Sequence, residues 1–196
     1  MKKILVLNGS LGEQLGNTQF ILDKMRIHLG STVQLEFLHL QDFFKNHTHQ
    51  EAIPQLAHKL NWADGFIFST GTYWDSWGSP LQTFLEITTS FEGGDLFFGK
   101  PAAVVVTMHS VGGKGVLSRL QGVLNTMGIL IPPMSGMVYS LAGKLAIEKE
   151  SSWSDDFWSL QDLEIITHNL VTSLQIKQNF KSWPVDHDDP KRIWIK

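Results

Sequence analysis

The chain has 196 residues, 42% of them hydrophobic, and carries a net charge of −3 from 16 basic and 19 acidic side chains. That length and apolar content suit one domain whose core buries roughly 70% of the unfolded surface. The weak acidity, without a Lys/Arg block or a basic face, argues against a nucleic-acid partner. The absence of cysteine excludes disulfides, thiolate nucleophiles and Cys-ligated zinc or iron–sulfur centres. Lys2-Lys3 before Ile4 to Leu7 imitates a secretory signal. Its apolar run, however, is far shorter than the roughly 7 to 15 residues that an h-region needs. No run approaches transmembrane length either, so the chain reads as cytoplasmic and free of the membrane.

Ile4 to Leu7 is a continuous apolar run, the pattern of a central parallel strand covered on both faces. Phe20, Ile21, Met25 and Leu29 recur at helical spacing, and Gly30 is placed to end that helix. Val33, Leu35 and Phe37 alternate with polar residues, as in a half-exposed edge strand. Pro54 is placed to begin a helix carrying Ile53, Leu56, Ala57 and Leu60, and Asp64-Gly65 turns the chain into strand Phe66 to Phe68. Ser79-Pro80 predicts a helix start with Ser79 as N-cap and Leu81, Phe84 and Leu85 facing inward. Ala102 to Thr107 is again solidly apolar and therefore central. The loop His109 to Gly115 leads to a helix with a Val116, Leu117, Leu120, Leu124 and Met127 stripe, closed by Gly128. Ile129 to Ile131 is predicted as the fifth strand, at a sheet edge because Pro132 and Pro133 cannot donate ladder hydrogen bonds. A last helix is expected over about Asp155 to Gln178. The organisation is a single domain over 1–180 with a polar C-terminal tail over 181–196 that packs on the domain or on a partner subunit. In that tail Trp183, Ile193, Trp194 and Ile195 are the residues placed to do so.

Edge character at the second and fifth strands and burial at the first, third and fourth match an α/β fold with a doubly wound five-stranded parallel sheet in the order 2-1-3-4-5. Ligands of such sheets sit beyond the carboxyl ends of the strands at the switch point, here between the first and third. Three loops meet there. In the first, Gly9, Ser10, Gly12 and Gly16 leave room for an anion to approach backbone N–H groups at a helix start, and Asn17 and Thr18 follow. The same residues also serve an ordinary strand-to-helix turn. In the second, Tyr73, Trp74 and Trp77 offer aromatic faces to a flat ring, or alternatively fold back onto the core or fill a subunit interface. In the third, the glycines at 112, 113 and 115 offer open amides or plain loop flexibility.

Asn8-Gly9-Ser10 with Gly16-Asn17-Thr18, then Ala63-Asp64-Gly65, Thr72-Tyr73-Trp74 with Ser79-Pro80-Leu81, and Gly99-Lys100-Pro101 before an apolar strand follow one another over about residues 2 to 135. Together they resemble the flavodoxin-like NADPH-dependent FMN reductase family, which includes flavin, quinone, azo-dye and chromate reductases. The resemblance implies a flavoprotein in which FMN takes a hydride from NAD(P)H and passes electrons to a small acceptor such as a quinone or flavin. It implies that Ser10, Gly16, Asn17 and Thr18 hold the phosphate, that Thr72, Tyr73 and Trp74 flank the isoalloxazine, and that His109, Gly112 and Gly113 meet its pyrimidine end. It also implies a homodimer or homotetramer. The first loop has no cation where the family usually carries Arg or Lys, and Gly71 stands where it usually has Pro. Amide and hydroxyl donors suffice for a phosphate.

Other chemistries fail on spacing. Gly113-Lys114-Gly115 is no P-loop, since position 115 is Gly and no Gly stands five residues before Gly113. Gly9 to Gly12 lacks the spacing of a dinucleotide fingerprint, and there is no G-x-S-x-G elbow. His47 and His49 read as a solvated loop, not as metal ligands, and no metal site or essential catalytic acid or base is expected. A flavodoxin-type electron carrier and a flavin-free scaffold of the same fold remain alternatives. A carrier is usually strongly acidic for docking, which a charge of −3 supports weakly.

Overall fold

In a computed structural model, which describes residues 1–12, 16–152, 157–177 and 179–187, apolar residues two apart on each central strand share a face while their neighbours take the other. The strands are β1 (Lys2–Asn8), β2 (Val33–His39), β3 (Gly65–Gly71), β4 (Ala102–Met108) and β5 (Gly136–Ser140). They form one sheet in the order β2-β1-β3-β4-β5, with every pair parallel. On one face Leu5, Leu7, Phe66, Phe68, Val104 and Val106 are buried with residues of α3 (His49–Trp62), α4 (Ser79–Ile87) and α5 (Gly113–Thr126). The other face sets Ile4, Val6, Ile67, Ala103 and Val105 against α1 (Asn17–Leu29) and α7 (Asp162–Ser173). This period of two, repeated in register across β1, β3 and β4, makes the doubly wound layer arrangement the one that buries both apolar sets. The fold is flavodoxin-like. The remaining helices are α2 (Leu40–Asn46) and α6 (Leu141–Lys149).

Four boundaries differ from the sequence-based expectations, each for a local reason. The fifth strand is Gly136–Ser140, not Ile129 to Ile131. Leu130 bridges Pro101 and exchanges backbone hydrogen bonds with Lys100 and Ala102, but Pro132 and Pro133 have no N–H to continue the ladder. The chain leaves the sheet, with Met134 at a φ of 50°, and rejoins it where Gly136 pairs with Val104. The N-cap of α4 is Gly78, with Ser79 inside the helix, because the Gly78 carbonyl accepts the first helical N–H groups, from Leu81 at 3.0 Å and Gln82 at 3.2 Å. Helix α3 starts well before Pro54, at a capping box in which Thr48 and Glu51 satisfy each other's backbone N–H groups, so Pro54 lies inside it. The predicted final helix is instead α7, preceded by the unforeseen α6. Asp162 marks the start of α7 by accepting the Ser159 N–H at 2.6 Å. Its predicted limits Asp155 and Gln178 lie outside the described residues.

His49 opens α3, and the His47 ring stacks on Phe43 at 4.6 Å with its Nδ1 2.9 Å from the Phe43 carbonyl, so neither stands in an open loop. Trp183 Nε1 donates to Glu92, and the His187 ring nitrogen lies 3.0 Å from the Ser90 carbonyl. Ile193, Trp194 and Ile195 lie outside the described residues. No described helix is long and apolar enough to cross a membrane.

Candidate functional site

The carboxyl ends of β1 and β3 are held close by glycine contacts. A Cβ on Gly78 would stand 2.3 Å from the Gly9 carbonyl oxygen, and one on Gly9 would stand 2.5 Å from Leu81 Cβ. A Cβ on Gly71 would press at 3.0 Å on the Tyr73 ring. Tyr73 ties the loops together in turn, because its hydroxyl accepts the Leu11 N–H at 2.9 Å.

Around this junction lies a cleft of about 670 Å³, within the range of about 300–1,000 Å³ usual for small-molecule sites. Ser10, Gly16, Asn17, Thr18, Thr72, Tyr73 and His109 all line it. The N-terminus of α1 lies on this wall, and its first-turn amides have no side-chain cap among the described residues. Its N-cap, Gly16, contributes no side-chain cap, and no acidic residue occupies its first turn. Uncapped first-turn amides carry partial positive charge and suit an anion. Asn17 is exposed. Thr18 is buried, with its hydroxyl 3.0 Å from that of Thr107. Ser10 is also buried, and both its N–H and its hydroxyl donate to the Asn8 carboxamide, so it shapes the loop more than it offers a donor. Thr72 Oγ1 is buried without a hydrogen-bond partner. An orphaned hydroxyl on a cleft wall marks a place where a ligand would complete the set.

Trp74, Trp77, Gly112 and Gly113 are absent from this wall. Trp74 projects into solvent, fully exposed, because Trp74 and Asp75 are the left-handed centre of a tight turn closed by reciprocal Tyr73–Ser76 backbone bonds of 2.8 and 2.9 Å. Trp77 instead packs on the core edge, its Nε1 donating to Gln82 and its ring under the Arg119 guanidinium. Gly112 has a φ of 85° and abuts the Asp75 carboxylate, where a Cβ would meet Oδ1 at 1.9 Å. The Gly113 N–H is directed to Met108 Sδ at 3.3 Å. These two glycines start α5 and pack the loop tightly, and their amides do not open onto the cleft.

The cleft also has walls that sequence reading missed: Phe20, Thr107, Met108, Tyr139, Leu141 and Lys144. Lys144, from α6, puts a cation on the cleft wall, whereas the first loop has none. Ser140 as an N-cap, its Oγ accepting from Gly143 N at 3.2 Å, together with the Lys144–Glu148 spacing, was the available signal for that helix. Among the described residues no group of three His, Cys, Asp or Glu could hold a metal.

Comparison with known proteins bears on family and fold. A family model for NADPH-dependent FMN reductase matches residues 2–142. No curated protein sequence matches significantly. Among solved structures, RosB with a bound 8-demethyl-8-formylriboflavin-5'-phosphate intermediate superposes with a TM-score of 0.71 at 14% identity, covering 89% of this chain and 79% of that one. The apo form of the NADH:FMN oxidoreductase EMOB gives 0.68 at 20% identity, covering 90% and 92%. FerB, an NAD(P)H:(acceptor) oxidoreductase from Paracoccus denitrificans, gives 0.66 at 19%, covering 89% and 98%. At these identities the structures establish the fold, and the family match, over more than two thirds of the chain, establishes the rest: the chain belongs to the NADPH-dependent FMN reductase family, flavin oxidoreductases that use FMN and NAD(P)H.

Proposed function

We propose that the 670 Å³ cleft holds FMN and that the protein passes electrons from NAD(P)H through the flavin to a small acceptor such as a quinone or a second flavin. The observation that carries this placement is the uncapped N-terminus of α1 opening onto a cleft that also contains the orphaned Thr72 hydroxyl. The first-turn amides and the Asn17 carboxamide would hold the phosphate, and Lys144 across the cleft would offset its charge. Tyr73, Thr72 and His109 would border the ring. When bound, FMN supplies the redox chemistry, accepting a hydride from the nicotinamide and returning electrons to the acceptor.

The chain's own work is binding, orientation and charge. No side chain of the cleft is assigned as an acid or base, because the hard step belongs to the cofactor. The loops around the cleft expose Leu11, Trp74 and Val111, which supports self-association into the homodimer or homotetramer that the family resemblance suggests. The test is titration of the apoprotein with FMN by fluorescence quenching, followed by anaerobic mixing with NADH and with NADPH. Bleaching of the bound flavin by either coenzyme is expected. Binding without bleaching would make the protein an electron carrier, and no binding would refute the cofactor placement.

A further inference from the structure

Next to the flavin cleft lies a second one of about 950 Å³, and the two share Met108, Tyr139 and Lys144 as a common wall. It is bounded by β5, by α6 and by Phe157–Asp162, the approach to α7. Two large aromatics stay open to solvent on its wall, Phe157 at 41% and Trp158 at 39% exposure. Lys114 Nζ sits 5.0 Å from the centre of the Trp158 ring. The carboxylates of this cleft are already engaged. Asp162 accepts the Ser159 N–H, and Glu148 lies 3.6 Å from Lys144. Lys114, by contrast, has no carboxylate partner among the described residues. An exposed indole beside a lysine ammonium suits a flat base joined to an anion, through stacking and Coulomb attraction.

The coenzyme needs such a place. The chain has no G-x-G-x-x-G fingerprint and no P-loop to take a dinucleotide's phosphates. We propose that the second cleft binds the adenosine-phosphate end of the nicotinamide coenzyme, with the base against Trp158 and the phosphates beside Lys114, while the nicotinamide end reaches the flavin across the shared wall. This rests on the reading of the first cleft as the FMN site. Neither Trp158 nor Lys114 lines that first cleft, so their replacement separates the two sites.

The experiment is a calorimetric titration of the FMN-loaded protein with ADP, with adenosine as the uncharged control. It is run on the parent chain, Trp158→Ala and Lys114→Gln, beside steady-state kinetics. ADP is expected to bind more tightly than adenosine and to compete with NAD(P)H. Each variant should weaken ADP at least threefold and raise the KM for coenzyme by a similar factor, with FMN affinity unchanged. Lys114→Gln should also erase most of the preference for ADP over adenosine. ADP binding that is absent, or equal in all three proteins, overturns the proposal, as does competition of ADP with the acceptor in place of the coenzyme. Repeating the ADP titration without flavin makes the outcome independent of FMN uptake, so failure of the flavin reading shows separately as a parent chain that takes up no FMN.

Discussion

Asn17 offers the sharpest separation of ligand binding from folding. It is the first residue of α1, is exposed, and has no hydrogen bond to the described protein that its removal would orphan. Asn17→Ala should therefore leave stability within about 0.5 kcal/mol, as surface replacements do. A hydrogen bond to a charged group contributes about 1.5–3 kcal/mol. At about 1.4 kcal/mol per decade, FMN should bind about 10- to 150-fold more weakly. Riboflavin has no phosphate, so its affinity should not change. The effect of Lys144 should be smaller, since its side chain is 49% exposed and shares its charge with Glu148 at 3.6 Å. Lys144→Gln should weaken FMN by less than about 1 kcal/mol, and the effect should shrink as salt is added. Thr18 is the poorer probe, because its buried hydroxyl also serves Thr107 and its loss disturbs both. Fluorescence titrations with FMN and riboflavin at two ionic strengths read all of these. If Asn17→Ala weakened both flavins equally, or neither, the phosphate would not lie at the start of α1.

Gly78→Ala forces a Cβ to within 2.3 Å of the Gly9 carbonyl oxygen, and overpacking costs about 1–3 kcal/mol. For a chain of this length the thermal midpoint should fall by about 2–12 °C and FMN affinity with it; an unchanged midpoint would refute the close approach of the two loops. Trp74→Ala should leave flavin quenching unchanged and the stability of the isolated subunit within about 0.5 kcal/mol, because within one subunit the indole touches only solvent. Tyr73→Phe, which frees the Leu11 N–H, should cost about 0.5–1.5 kcal/mol in stability, so the opposite ranking of these two variants would count against the site as drawn. Thr48→Ala should destabilise by about 0.5–2 kcal/mol through loss of the α3 cap, measured by denaturant midpoint. The Thr48 backbone and hydroxyl hydrogen bonds hold the Glu51 carboxyl below its ordinary range. A carboxyl lowered in this way stabilises above its unfolded pKa and loses that contribution as pH falls through the folded one. Glu51→Gln should thus lose less stability than the parent between neutral and acid pH, and a parallel loss would refute the link.

The central strands were legible because burial on both faces demands unbroken apolar runs, as in Ile4 to Leu7 and Ala102 to Val106. The fifth strand was not, because an edge strand needs no such run. Gly136-Met137-Val138-Tyr139-Ser140 buries only Met137 and Val138, while the more apolar Ile129 to Ile131 holds a single bridge before the prolines. Loop residues divide along the same line. Spacing and residue type mark Gly16, Asn17 and Thr18 as a helix start with open amides, and this is a local property. Whether Tyr73 or Trp74 faces the cleft depends on a turn with two left-handed residues, neither of them the Gly or Asn that would announce it.

Lys144 shows why a missing residue in a motif is weak evidence against a charged ligand. Coulomb attraction acts through space and needs a cation near the anion, not a cation on a particular loop. In a parallel sheet every strand delivers its carboxyl end to the same rim, so the start of α6 after β5 and the start of α1 after β1 share one edge although they are far apart in sequence. The Thr18–Thr107 contact brings the first turn of α1 over the end of β4, which is the neighbour of β5. A lysine at the fourth position of α6 is then within the wall of the same cleft. Along the chain the first loop lacks a cation, whereas around the rim Lys144 places one on the same cleft.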